Sequence, residues 1–185
     1  MSAKRIVLIS LMAVLMCVCS WITIPSVVPF TMQTFAIFCA LILLGGRDGL
    51  IAILLYVVLG LIGVPVFSGF RGGVGHVLGP TGGYIIGFIA TGLIYILFEL
   101  FTKKLNGKKK IVFILLSLGI GLISCYLIGT IWFYVVTKGE RYSFFQILLL
   151  CVIPYIIPDL IKLALALIIC IKLKKIIFKE ENDYE

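Results

Sequence analysis

From Ile111 to Val136 the chain runs for 26 residues without a charged side chain. A segment of that kind has few places to go. The hydrocarbon layer of a bilayer is about 30 Å thick and takes about 20 apolar residues as a helix. Inside it every backbone N–H and C=O needs a partner within the protein, which leaves helices and closed barrels. Reading the other apolar stretches the same way gives six spans, Ile6–Ile24, Phe30–Leu44, Leu50–Val66, Thr81–Phe101, Ile111–Val136 and Phe144–Ile171. The second is short, with an earlier start at Pro25 as the alternative. The last is long, and its division at Pro154 into an outer surface segment and a true span is expected. Composition agrees, because 62% of the residues are hydrophobic and 13% charged, against about 25% charged in soluble domains. The expected fold class is an all-α integral membrane protein, a six-transmembrane-helix bundle forming one domain over residues 1–185.

The charges outside the spans set the orientation. With a cytoplasmic N-terminus, twelve basic residues fall inside: Lys4, Arg5, Arg47, Lys103, Lys104, Lys108, Lys109, Lys110, Lys172, Lys174, Lys175 and Lys179. Three fall outside, Arg71, Lys138 and Arg141. That bias places both termini in the cytoplasm. It also accounts for the net charge of +8, which the acidic tail Glu180–Glu185 partly offsets, so nucleic-acid binding is not implied. The basic loop from Lys103 to Lys110 suits anionic headgroups of the lipid bilayer. Lys4 and Arg5 precede an apolar run, but no small-residue cleavage site follows, and Met16-Cys17-Val18-Cys19 lacks the small residue of a lipoprotein box, so neither a signal peptide nor a lipid anchor is expected.

The sixteenth basic residue, Lys162, lies within the last apolar run, whose one other charge is Asp159. A charge in the hydrocarbon costs about 2.5–3.5 kcal/mol on insertion scales, so it is paired or used. Three residues apart on a helix, the two side chains reach each other. Pro154 and Pro158 just precede the pair and would free backbone groups that only protein or a watery cavity can satisfy. The combination reads as a polar binding site beside a broken helix, or as a structural ion pair locking two helices.

A second unusual segment, Phe67–Tyr84, holds seven glycines among 18 residues. By the charge bias it faces outward. Its glycines, Gly73 and Gly75 among them, allow close backbone approach to a ligand, successive N–H groups can form an anion-binding nest, and Arg71 adds charge beside it. Gly75, Gly79, Gly83 and Gly87 recur every fourth residue, a spacing that equally suits tight helix contact in membranes. The Gly-x-Gly at Gly73 and Gly75 is no nucleotide fingerprint, and the absence of a Gly-x-x-x-x-Gly-Lys-Ser/Thr run argues against an ATPase subunit.

Enzymatic chemistry has no residue set to carry it. Ser68 stands outside a Gly-x-Ser-x-Gly context, and His76, eight residues on, reads as a loop or rim residue. Glu99, near the inner end of its span, is expected to snorkel to the interface. The six cysteines, Cys17, Cys19, Cys39, Cys125, Cys151 and Cys170, form no ligand pattern and there is one histidine, so a metal site is not expected and buried free thiols are. No catalytic residue is assigned.

Several of these pieces match a known family. Pro29-Phe30-Thr31-Met32-Gln33-Thr34 resembles the first loop and second span of BioY proteins, the biotin-binding S components of energy-coupling-factor (ECF) transporters. The resemblance continues through Gly45-Gly46-Arg47-Asp48-Gly49, Pro65-Val66-Phe67, Gly72-Gly73-Val74-Gly75 and Gly79-Pro80-Thr81-Gly82-Gly83-Tyr84, and ends with Pro158-Asp159-Leu160-Ile161-Lys162. Pro158 stands where commoner members carry Gly, and the Ala-x-x-x-Ala that docks a coupling subunit is approximated only by Ala13-x-x-x-Cys17 and Ser10-x-x-Ala13. The resemblance implies an S-component bundle in a prokaryotic cell membrane. It implies biotin as transported ligand, a membrane coupling (T) subunit and two ABC-type ATPases as partners, and no cofactor. It further implies that Asp159 accepts from the ureido N–H groups and Lys162 donates to the ureido oxygen or the carboxylate. Tyr84 would cover the apolar ring, with Thr81, Gln33, Arg71 and the backbone near Gly73 and Gly75 completing the contacts. The rival expectations are a solitary biotin carrier working without ATPases, for which residues 1–92 and 93–185 show no internal repeat, and an S component for a related small vitamin.

Overall fold

In the computed structural model, residues 2–102, 105, 107–138 and 142–177 are described. Lys103, Lys104, Arg141, Lys179 and the acidic tail, which enter the charge argument, lie outside them. Among the described residues there are seven helices of eight residues or more, α1 (Ala3–Trp21), α2 (Gln33–Leu44), α3 (Gly46–Leu61), α5 (Gly82–Thr102), α6 (Gly107–Val136), α7 (Phe144–Cys151) and α8 (Ile153–Ile177), and a single turn, α4 (Val74–Val77). A small hairpin, β1 (Thr23–Ile24) and β2 (Phe30–Thr31), links α1 to α2.

The expected six spans are therefore modified at the second, the third and the last, the third running over Gly46–Leu61 instead of Leu50–Val66. The last apolar run divides, as anticipated, but at Val152, two residues before Pro154. Pro154 then sits in the first turn of α8, where its missing N–H has no intrahelical bond to lose. Pro158 lies inside α8, which continues through it, so the helix is not broken beside the charge pair. The second span begins neither at Pro25 nor at Phe30 but at Gln33, because the preceding residues pair as strands and Met32 N donates to the Cys19 and Ile22 carbonyls. The hairpin thus satisfies its own backbone, the condition for irregular chain at membrane depth. Three helices, Ala3–Trp21, Gly82–Phe101 and Gly107–Val136, are long and apolar enough by themselves to cross a membrane.

α2 is the centre of the bundle. From Ala36 to Leu43 every residue is buried, enclosed by α1, α3 and α8. α5 and α6 pack along their lengths through small residues. A Cβ on Gly83 would meet Trp132, on Gly87 Cys125, on Gly121 Thr91 and on Gly129 the Tyr84 ring. The four-residue glycine spacing is thus a packing device at Gly83 and Gly87, whereas nothing approaches Gly75. At the end of the bundle carrying the N-terminus, Arg5 donates two hydrogen bonds to Asp48, at 2.8 and 2.6 Å, tying α1 to α3. Glu99 is half-buried and accepts from Gly46 N at 2.8 Å, capping α3 instead of snorkelling outward. All six cysteines are buried free thiols. Ala13 and Cys17 face the interior, 1% and 7% exposed, so the approximate Ala-x-x-x-Ala points into the bundle, while Ser10 is exposed.

Candidate ligand-binding site

Asp159 and Lys162 stand one turn apart on α8, each 4% exposed. Their side chains meet at 2.7 Å. Thr34, in the first turn of α2, donates to Asp159 Oδ1 at 2.8 Å and accepts from Lys162 Nζ at 3.3 Å. Lys162 also donates to the Thr31 carbonyl at 2.6 Å and lies 3.9 Å from the centre of the Phe30 ring, a cation–π contact. From the far side of the bundle, Tyr126 of α6 donates to Asp159 Oδ2 at 2.5 Å. The ammonium thus spends its three N–H groups on Asp159, Thr31 and Thr34. The carboxylate keeps Oδ1 with two donors and Oδ2 with one, so Oδ2 retains an acceptor position. Hydrogen bonding on this scale offsets the cost of burying the pair.

This network forms one wall of a cavity. The other walls are mostly apolar and aromatic, with Phe30, Phe67, Tyr84, Ile85, Phe88 and Tyr155 among them, and the thiols of Cys125 and Cys151 reach its surface. Tyr155 stacks on Phe30 at 5.8 Å and donates to the Val28 carbonyl, so α8 also holds the hairpin in place. A mostly apolar enclosure with a few convergent polar groups is the usual form of a small-molecule site.

A larger cavity adjoins it, sharing Pro29, Ser68, His76 and Thr81 with the first and lined further by Arg71, Gly75, Thr23 and Ser26. The glycine-rich segment forms one side of this outer chamber and is closed on itself. Phe67 and Arg71 pair their backbones, and Gly73 N donates to the Gly60 carbonyl at 2.7 Å. Gly73, at φ +89°, adopts a conformation that residues with a side chain rarely take. His76 stacks on Phe67 at 5.4 Å, and Phe67 meets Tyr56 edge-on at 5.6 Å. Burial, helped by the Arg71 charge, holds the His76 imidazole below its ordinary pKa, so it is neutral at pH 7.

Of the residues singled out from sequence, Asp159, Lys162, Gln33, Thr81 and Tyr84 line the inner cavity. Gln33 donates from its amide nitrogen to the Tyr56 hydroxyl and accepts from Thr31, so its polar atoms are already engaged. The Tyr84 hydroxyl is buried beside the Thr130 hydroxyl of α6. Arg71 and Gly75 line only the outer chamber, and Gly73 lines neither, its N–H being donated to the Gly60 carbonyl of α3, so no nest forms there. Sequence reasoning missed Tyr126, Thr34 and Tyr155. A lone tyrosine in an otherwise apolar span carries a signal, because a buried hydroxyl needs a partner, but nothing in the sequence says that the partner is Asp159.

Comparison with known proteins is consistent along the whole chain. The profile described as BioY family matches residues 1–179. A protein of Pyrococcus horikoshii named probable biotin transporter BioY is 40% identical over 94% of this chain and 98% of its own length. Thermotoga maritima biotin transporter BioY is 34% identical over 94% and 97%. Among solved structures, the S-component for biotin from an ECF-type ABC transporter superimposes with a TM-score of 0.79 at 29% identity, covering 95% of both chains.

Proposed function

This chain belongs to the BioY family, and on that premise we propose that it is the biotin-binding S component of an ATP-driven ECF uptake transporter. It is a multi-pass membrane protein and a transport subunit, not an enzyme. The observation that carries the reading beyond family membership is the buried Asp159–Lys162 pair on the wall of an apolar cavity.

Biotin offers two ureido N–H donors, a ureido carbonyl, an apolar sulfur ring and a carboxylate tail. Asp159 accepts a ureido N–H at the acceptor position left on Oδ2. Lys162 holds Asp159 in place and reaches the ligand by exchanging its bond to Thr34 or Thr31. The rings of Tyr84, Phe88 and Tyr155 cover the apolar part of the head. Thr81, at the mouth, faces the tail, with Arg71 and Gly75 beyond it. Gln33 fixes Tyr56 and the floor of the site.

The chain carries no phosphate-binding loop, so energy for uptake comes from elsewhere: a membrane coupling (T) subunit and two ABC-type ATPases. The names of the relatives favour this over a solitary carrier or a different vitamin. Both termini lie in the cytoplasm of a prokaryotic cell and the glycine-rich segment faces out, as the charge bias requires.

Titration of the detergent-purified chain with biotin tests the reading. Saturable binding at one site per chain is expected, and no binding overturns it. Concentrative uptake by the pure chain in ATP-free vesicles overturns the requirement for partners. In a cysteine-free background, labelling of Lys109→Cys by an impermeant reagent from outside overturns the orientation.

A further inference from the structure

The inner cavity has a polar end and an open end. Asp159, Lys162 and Tyr126 lie at the first. At the second, Pro29, Ser68, His76 and Thr81 line both the inner and the outer chamber, so the two adjoin there. A ligand that puts its N–H donors on Asp159 extends its other end toward that opening. The outer chamber beyond is the larger of the two, and its lining is more polar than that of the inner one. Arg71 is exposed and lines this chamber, and no acidic side chain among the described residues pairs with it. An adjoining chamber and an unpaired guanidinium on its wall together describe a second subsite beside the first.

We propose that the outer chamber accepts an extension on the carboxyl end of the ligand, so that the chain binds amide conjugates of biotin with a free amino acid as well as biotin itself. The inference rests on the biotin reading above. The head group occupies the inner chamber in both ligands. The amide replaces the tail carboxylate near Ser68 and Thr81, both hydroxyl-bearing and indifferent to that exchange. The extension crosses into the outer chamber, where its free carboxylate meets Arg71, whose planar fork matches a carboxylate. No bond is made or broken.

Displacement of labelled biotin from the detergent-purified chain tests this, with unlabelled biotin and the amide of biotin with the ε-amino group of lysine as competitors. The conjugate is expected to compete within about tenfold of biotin, about 1.4 kcal/mol. Two variants act on the outer chamber, by charge and by volume, and each is read as the ratio of the two affinities so that an effect of Arg71 on biotin itself is divided out. Arg71→Gln is expected to shift the ratio of the two affinities against the conjugate by about tenfold, the scale of a lost charge-assisted pair. Ser26→Trp, in the exposed turn of the hairpin, is expected to shift it the same way by filling the space. Melting curves control for folding. If biotin binds and the conjugate does not compete at about a thousandfold excess, the proposal falls and the biotin reading stands. A ratio unmoved by both variants also overturns it. If biotin itself does not bind, both fall.

Discussion

The α8 charge pair and the glycine-rich segment are the two stretches that a reader of the bare sequence would mark, and they turn out to be built on opposite principles. Asp159 and Lys162 are buried and draw partners from three directions, Thr34 at the start of α2, Thr31 on the hairpin and Tyr126 on α6. The glycine-rich segment satisfies its backbone within itself and its neighbour α3, through the Phe67–Arg71 bridge and the Gly73 to Gly60 bond. It gives the inner cavity only Phe67, Ser68, His76 and the residues from Thr81 onward. A buried charge has to recruit other elements, so it organises a site. A glycine needs nothing from its surroundings, so a run of them is compatible with a ligand, a tight turn or a helix contact.

The contrast breaks first at Lys162, where the largest effect is expected. Lys162→Ala leaves Asp159 buried and unpaired, at a cost of about 3–5 kcal/mol shared between stability and affinity, so biotin binding should fall by two orders of magnitude or more. The double variant Asp159→Asn with Lys162→Met separates site from scaffold. It should melt near the parent temperature and still not bind, and near-normal affinity would reduce the pair to a structural lock. Tyr126→Phe is a finer cut through the same network. It removes one donor from Asp159 and should weaken binding about tenfold, in line with about 1–3 kcal/mol for a hydrogen bond to a charged group, with a melting curve alongside. An affinity that does not change would place the ligand away from Oδ2.

On the other side of the comparison, Gly73→Ala meets no neighbour but strains a backbone at φ +89°, costing about 1–3 kcal/mol of stability. Its biotin affinity should change by less than about threefold. A large loss of affinity in a stable Gly73→Ala protein would return the loop backbone to the ligand. His76 gives the smallest effect. Its folded pKa is depressed, by burial and then by Arg71, so folding favours the neutral ring. The associated stability is fully present above the unfolded pKa of about 6.5 and is lost as pH falls through the folded value. The parent should therefore lose more melting temperature between pH 7 and 5 than His76→Gln does, and equal losses would show that folding does not shift the titration of the ring.

How much could be read in advance follows the same line. The uncharged 26-residue run at Ile111–Val136, the clustered basic residues and the lone Asp159–Lys162 pair are each expensive to misplace in a bilayer. They therefore announce a membrane bundle with a polar point on its last helix, whatever surrounds them. The same costs say nothing about who answers the charge. Thr34 and Tyr126 reach Asp159 across separations of 125 and 33 residues, and only the packing of α2, α6 and α8 brings them there. The hairpin at Thr23–Thr31 was hidden because two-residue strands carry no periodicity, and its carbonyl at Thr31 matters only once Lys162 lies beneath it. Glu99 looked like an interfacial charge until the turn at Gly45 delivered the α3 N-terminus to it. Solvent transfer free energies are local and act residue by residue along the chain, whereas hydrogen-bond partners and cavities are made by distant segments meeting. The first kind of information resides in sequence order, and the second exists only when the helices have packed.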